Sequence, residues 1–306
     1  MLWGCNKSYE KFEPSVNGSM DTIWASFPSP ALPVNDLYQS LELVPFIDSV
    51  SAQTGGTINF PNNISVNIPA SAFIIGGSVV NTGKISIRVL LVTKKGDMVR
   101  MCLPTQSNGY LLESGGELYV DAAKNGVPAA LVAGKQLTIN YQNSGTPSSL
   151  MQGFSGMDAT AVSGSSSCFN WTPDAGNVQV STTANGYQFI TKKLYWLNAD
   201  YFNDSAATKT MIALTMPINF TNANTYTFIV YKNSNGVMQF DADAVNKLWV
   251  KNRVPINQSV TFVSISKIND DYYLGSASAT TSVNQHIVLK PAKYKVQDII
   301  NYLGTL

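Results

Sequence analysis

The chain has 306 residues, enough for two domains of ordinary size or for one large β domain. Hydrophobic residues make up 44% of it and can fill real cores, while charged residues make up only 13%, about half the usual share of a soluble domain. A net charge of +1 without long like-charge runs excludes a bulk field that recruits nucleic acid or an anionic membrane. Ser, Thr, Asn and Gly take the place of the missing charges. A surface of neutral polar groups fits an exported β protein better than a cytosolic enzyme.

The chain opens Met1-Leu2-Trp3-Gly4-Cys5. It shows neither the basic stretch nor the apolar run of a secretory signal. Leu-x-Gly-Cys nevertheless resembles the end of a bacterial lipobox, with Leu2, Gly4 and Cys5 in place and Trp3 larger than the residue usual there. The expectation is a truncated start with Cys5 as the acylated first residue of the mature protein. Membrane contact would then be through the lipid anchor alone, since no run of roughly 18 apolar residues is present to span a bilayer. Residues 6–50 carry Pro14, Pro28, Pro30, Pro33 and Pro45 with few periodic hydrophobics. They read as a tether and lead-in, with one short helix near 36–43.

From residue 55 the period is mostly two, the mark of half-buried strands. Strands are predicted over 57–60, 64–68, 84–93, 97–101, 117–122 and 136–142. In the strongest, Ile85, Ile87, Val89 and Leu91 alternate with other residues. Lys95-Gly96-Asp97 and Lys124-Asn125-Gly126 read as turns. Residues 143–149 and 163–167 are rich in Ser and Gly and read as loop or linker, which places a domain boundary near residue 148.

The second half is also β. Strands over 178–182 and 187–191 flank Ala184-Asn185-Gly186, a hairpin signal. Further strands are predicted at 194–197, 210–216, 225–231, 237–240, 260–268 and 272–274. Val296, Ile299, Ile300 and Leu303 follow helical spacing and predict one amphipathic helix that covers a sheet face or edge. With Cys5 assigned to lipidation, Cys102 and Cys168 either pair in an oxidising compartment or remain buried thiols or partly exposed bystanders.

The block 55–73, GGTINFPNNISVNIPASAF, resembles the opening of a ZU5 domain: Gly-Gly, a strand, a turn, a second strand, then Ile-Pro before a small residue. The block 95–126 is similar to ZU5-related modules of Bacteroidetes surface lipoproteins. The resemblance covers about residues 52–142, with Ala70-Ser71 standing where Pro-Gly is commoner. It implies a β-sandwich used for protein–protein contact. Some members of that family cut themselves at His-Phe-Ser; here the one histidine, His286, precedes Ile287-Val288 outside the matching region, so self-cleavage is not carried over. Three tripeptides, at Thr22, Ser49 and Ser205, are similar to the Asp-Ser/Thr-apolar sites of Bacteroidetes O-glycosylation.

Catalytic motifs are sparse. A single histidine leaves no triad unless His286 is the base, and its place in an apparent strand favours a simple surface residue. GxSxG and P-loop patterns are absent. Asp241 and Asp243 would share one face of a strand, yet the Gly and distal Glu of a calcium loop are missing, and Asp270-Asp271 reads as a turn. The basic residues around Trp249 read as an alternating strand before they read as a sugar or nucleic-acid patch. Trp196, Tyr201 and Trp249 are the candidates for a ligand-binding platform, although most rings of the second half should be core.

These readings combine into an all-β protein. Its expected parts are a tether over 1–50, a ZU5-like sandwich over 51–147 and a second sandwich-like domain over 148–306 closed by a C-terminal helix. The expected role is a non-catalytic cell-envelope lipoprotein, anchored at the outer membrane, that works in structure, adhesion or protein contact. The alternative is surface glycan binding. No cofactor, metal or nucleic-acid partner is expected; the partner is an unknown protein or glycan.

Overall fold

The structure is a computed structural model and describes residues 23–25, 32–143, 145–156, 169–203 and 207–306. In chain order the first part runs α1 (Pro33–Leu41), β1 (Phe46–Ser51), β2 (Gly56–Phe60), β3 (Ile64–Ile68), β4 (Phe73–Ile75), β5 (Ser78–Val79), β6 (Lys84–Val92) and α2 (Lys95–Arg100). It continues through β7 (Gln106–Ser107), β8 (Tyr110–Lys124), β9 (Val127–Pro128), β10 (Ala130–Leu131), β11 (Leu137–Gln142) and β12 (Gln152–Ser155). Then come β13 (Thr172–Pro173), β14 (Val178–Thr183), β15 (Gly186–Thr191) and β16 (Tyr195–Phe202). The last part contains β17 (Lys209–Thr215), β18 (Thr225–Tyr231), β19 (Val237–Gln239), β20 (Asp241–Asp243) and β21 (Leu248–Pro255). It closes with β22 (Ser259–Ile268), β23 (Asp271–Thr280), β24 (Gln285–Val288), β25 (Ala292–Tyr294) and α3 (Val296–Leu303).

The protein is mainly β, as its period-two patterning predicts. One sandwich pairs an eight-stranded sheet, with main path β1-β6-β8-β16-β12-β13, with the five-stranded sheet β14-β15-β11-β3-β2. Ile85, Ile87 and Val89 of β6 meet Val66, Ile139 and Phe189 of the facing sheet in one core. A second sandwich pairs β20-β21-β17-β24 with β19-β18-β22-β23-β25 around Ile212, Leu214, Trp249, Ile229 and Phe262. Between the sandwiches lies a third core. There the outward face of the large sheet (Leu90, Val92, Tyr119, Trp196) meets Phe228, Val230, Val263 and Ile265, with buried side chains of all three helices between them. Alternation explains this layering: in β18, Phe228 and Val230 face the junction while Ile229 and Tyr231 face the second core.

Several expectations need correction. The division at residues 147/148 does not fall between sheets. β15 pairs with β11 and β16 with β8, so strands up to Phe202 complete sheets begun before residue 143. The change of sandwich comes between β16 and β17. Ser- and Gly-rich loops report local exposure; they carry no information on which strands pair across them. The lead-in over 1–50 also reaches into the fold. α1 buries Val34, Leu37 and Leu41, and β1 pairs along β6 at the edge of the large sheet. Residues 97–101, read as a strand, lie largely in the helix α2, whose first turn is closed by Asp97 and Met98 N–H bonds to the Lys94 carbonyl at 3.0 Å. Six residues are too few for the period to separate helix from strand. The C-terminal helix covers the junction: α3 lies against α2 with Ile299 and Leu303 buried in the shared core.

Candidate binding cleft

Three adjacent strands build the floor of a cleft on the outward face of the large sheet. Leu90 of β6, Tyr119 of β8 and Trp196 of β16 stand in register across the sheet. One step along, Arg88 stands opposite Asp121. Above this row lies α1. It contributes Tyr38 and Gln39, and the segment after it contributes Glu42, Leu43 and Pro45. With Met101, these residues line a half-open cleft of about 300 Å3.

The roof is held at several points. Val34 N–H bonds the Ala223 carbonyl at 3.0 Å, and Ser40 Oγ lies 2.8 Å from Tyr272 Oη. Arg100 Nε donates to the Leu41 carbonyl at 3.0 Å, which caps the last turn of α1. Leu43 N–H points at Met101 Sδ at 3.2 Å. The cleft is therefore a preformed hollow between anchored elements, the usual character of a small-molecule site.

Its chemistry is mixed. Tyr119 and Trp196 pack with centroids 5.2 Å apart at 57° and are largely buried, so they offer ring edges and partial faces to the cavity. Arg88 Nε donates to Asp121 Oδ1 at 2.9 Å, its Nη2 pairs with Oδ2, and Tyr119 Oη donates to Oδ2 at 2.7 Å. The bond to Asp121 raises the affinity of Arg88 for its proton, against the opposing effect of partial burial. Burial raises the phenols of Tyr38 and Tyr119 above their ordinary range, so both stay neutral donors. Glu42 is the one carboxylate among the lining residues. Donors and acceptors thus stand at the rim over an apolar floor. Among the described residues no group of three or more His, Cys, Asp or Glu side chains is placed to hold a metal ion.

The predicted platform residues do not come together. Trp196 lines the cleft floor at 4% exposure. Tyr201 lies on the same strand but, by alternation, on its other face. Trp249 is buried in the second sandwich against Trp24, with centroids 4.5 Å apart. Ser49 sits in the edge strand β1 opposite Ser86, partly exposed, rather than in a tether. Cys5, Thr22, Ser205 and Cys168 lie outside the described residues.

Other acidic and basic candidates take local partners. Asp241 lies 3.4 Å from Lys251 Nζ, Asp243 accepts from Asn246, and Asp271 pairs with Lys293 at 2.6 Å. His286 Nε2 is 3.0 Å from Thr215 Oγ1. Sequence reasoning missed Arg88, Asp121, Tyr119 and the roof residues Tyr38 and Gln39. The available signal was weak: Arg88 and Asp121 lie on strands that carry other charges, Lys84 on β6 and Glu113, Glu117 and Lys124 on β8.

The chain matches no known family model and no curated protein. Among the described residues, no helix is long and apolar enough to cross a membrane.

Proposed function

We propose that this protein is a non-catalytic binding module of the bacterial cell envelope, held at the outer membrane through acylated Cys5. Two sequence features support the location: the Leu2-x-Gly4-Cys5 pattern and the low share of charged residues. The resemblance of residues 52–142 to ZU5-like modules supports a contact role rather than a chemical one.

One observation carries the binding reading: the half-open cleft of about 300 Å3 beneath α1. An apolar floor with a rim of guanidinium, amide, phenol and carboxylate suits a ligand with one apolar face and several hydroxyls. This favours the glycan reading over adhesion through a flat protein patch. The aromatics involved are Tyr119 and Trp196 with Tyr38, rather than Trp249 and Tyr201.

The test titrates the purified protein with neutral mono- and oligosaccharides by calorimetry. Saturable binding that is lost in Gln39→Ala and Glu42→Ala, with unchanged melting, supports the reading. No binding by any saccharide sinks it. Labelling cells with an alkyne fatty acid tests the anchor: label that depends on Cys5 supports it, and its absence from the wild type overturns it.

A further inference from the structure

The central seam of the large sheet holds two acids that meet no positive charge among the described residues. Glu117 of β8 and Asp200 of β16 are both 0% exposed. The register pairs Glu117 with Asn198 and Ser114 with Asp200, so β8 spends one extra residue between them. That bulge is made at Gly115-Gly116. Gly116 has φ +138°, and a Cβ there would lie 2.9 Å from the Tyr141 hydroxyl. The bulge keeps Ser114, Glu117, Asn198 and Asp200 as one polar group beneath Trp171.

The donors available to this group are neutral. Asn198 Nδ2 donates to Asp200 Oδ2 at 2.7 Å, and Ser114 Oγ donates to Asn198 Oδ1 at 3.1 Å. Both Glu117 oxygens and Asp200 Oδ1 have no hydrogen-bond partner among the described residues. The Trp171 indole is close enough to favour the charged form of Glu117, but its N–H is given to the Pro104 carbonyl at 3.1 Å.

The surrounding titratable groups bring no compensation. Glu113 on β8 adds negative charge near Asp200 and accepts from Asn235 N–H at 2.8 Å. Lys95 of α2 turns its ammonium to the Tyr231 carbonyl at 2.6 Å. From the facing sheet, Tyr141 donates to the Gly115 carbonyl at 3.1 Å and Tyr187 Oη accepts from Ser148 N–H at 2.8 Å. Tyr201 lies on the other face of β16 and feels Glu113 as well.

An ionised carboxylate without a cation or several donors is among the costliest groups to bury, and it takes a proton instead. We infer that Glu117 and Asp200 are neutral carboxylic acids in the folded protein at neutral pH, and that they make the β8–β16 seam a proton-loaded joint. Protonation removes the repulsion that two ionised carboxylates would exert on each other across the seam. Burial is the first cause that pushes both groups well above the usual carboxyl range, and an ionised Asp200 would push Glu117 further in the same direction. The unfolded chain loses these protons near pH 4, at about 4.3 for Glu and 3.9 for Asp. The stabilisation is full below that range and is lost as pH rises toward the folded-state values. Opening the seam at neutral pH releases both protons.

The test reads the carboxylic-acid C=O infrared band of the folded full chain at neutral pH, in wild type, Glu117→Gln and Asp200→Asn. A band in the wild type that weakens in each variant supports the inference. Absence of the band overturns it, as does a band unchanged in both variants. If the variants do not fold, the wild-type unfolding equilibrium decides. Unfolding is expected to become more favourable from about pH 5 to neutral pH, by up to about a hundredfold per pH unit for two protons. A flat or opposite dependence overturns it.

Discussion

Tyr119 Oη donates a 2.7 Å hydrogen bond to Asp121 Oδ2, and the same carboxylate holds Arg88 across the seam between β6 and β8. One acid thus fixes a phenol of the cleft floor and a guanidinium of its rim. Arg88 is half exposed, so the pair is screened and its contribution to stability is modest. Asp121→Asn should lower stability by about 1 kcal/mol. It should weaken saccharide binding more than it lowers melting, because Arg88 loses its fixed direction. Calorimetry beside thermal melting checks this; equal loss in both would assign Asp121 a structural role alone.

α2 and α3 touch at Gly96, where a Cβ would overlap the Leu303 carbonyl oxygen. The obstacle is backbone and cannot rotate away. Gly96→Ala should therefore push the helices apart and cost about 3 kcal/mol. Denaturant unfolding measures it. A change below about 0.5 kcal/mol would mean that α3 moves without penalty.

Residues 23–25 are pinned to the second sandwich. Asn222 bonds Ala25 through both ends of its amide, at 2.8 and 2.9 Å, while Trp24 lies on Trp249. Asn222→Ala should cost about 1–2 kcal/mol and alter the emission of the Trp24–Trp249 pair. Trp24→Ala should cost about as much through lost ring contact. The double variant should show less than the sum, since both changes release one segment.

A cationic clamp joins the two sandwiches. The Arg253 guanidinium stands 4.6 Å from the Tyr110 ring centroid, Lys209 Nζ stands 5.5 Å from it, and Arg253 Nη1 donates to the Asn108 carbonyl at 2.9 Å. Tyr110→Ala and Arg253→Ala should each cost about 1 kcal/mol, with a coupling of about 0.5 kcal/mol in a double-mutant cycle. Additive losses would show that the ring and the guanidinium act independently.

Much of the local structure was legible in the residues. Ile85, Ile87 and Val89 alternate because one face of β6 fills the first core. Val296, Ile299 and Leu303 follow helical spacing because α3 lies on the junction. Trp196 lines the cleft floor. Tyr201 and Trp249 were not separable from it by composition, since exposure depends on what packs above each ring. β8 shows the limit most clearly. All of its fifteen residues are at least partly buried, on both faces, yet it carries Glu113, Glu117 and Asp121. Burial on both faces erases alternation, and charges at buried positions look like exposed ones in a one-dimensional pattern.

The sequence by itself determined the β class, most strand positions, the turns at Asn125-Gly126 and Asn185-Gly186 and the two longer helices, while Lys95-Gly96-Asp97, read as a turn, opens α2. These follow from side-chain period and turn chemistry, which act over a few residues. Tertiary structure decided which strands meet: β8 with β16, β11 with β15, and α1 over the row Leu90–Tyr119–Trp196. It also placed two acids in a dry seam and formed a cleft from a lead-in helix and three strands. Such pairings maximise burial summed over the whole chain, among elements tens of residues apart, and no local period encodes them.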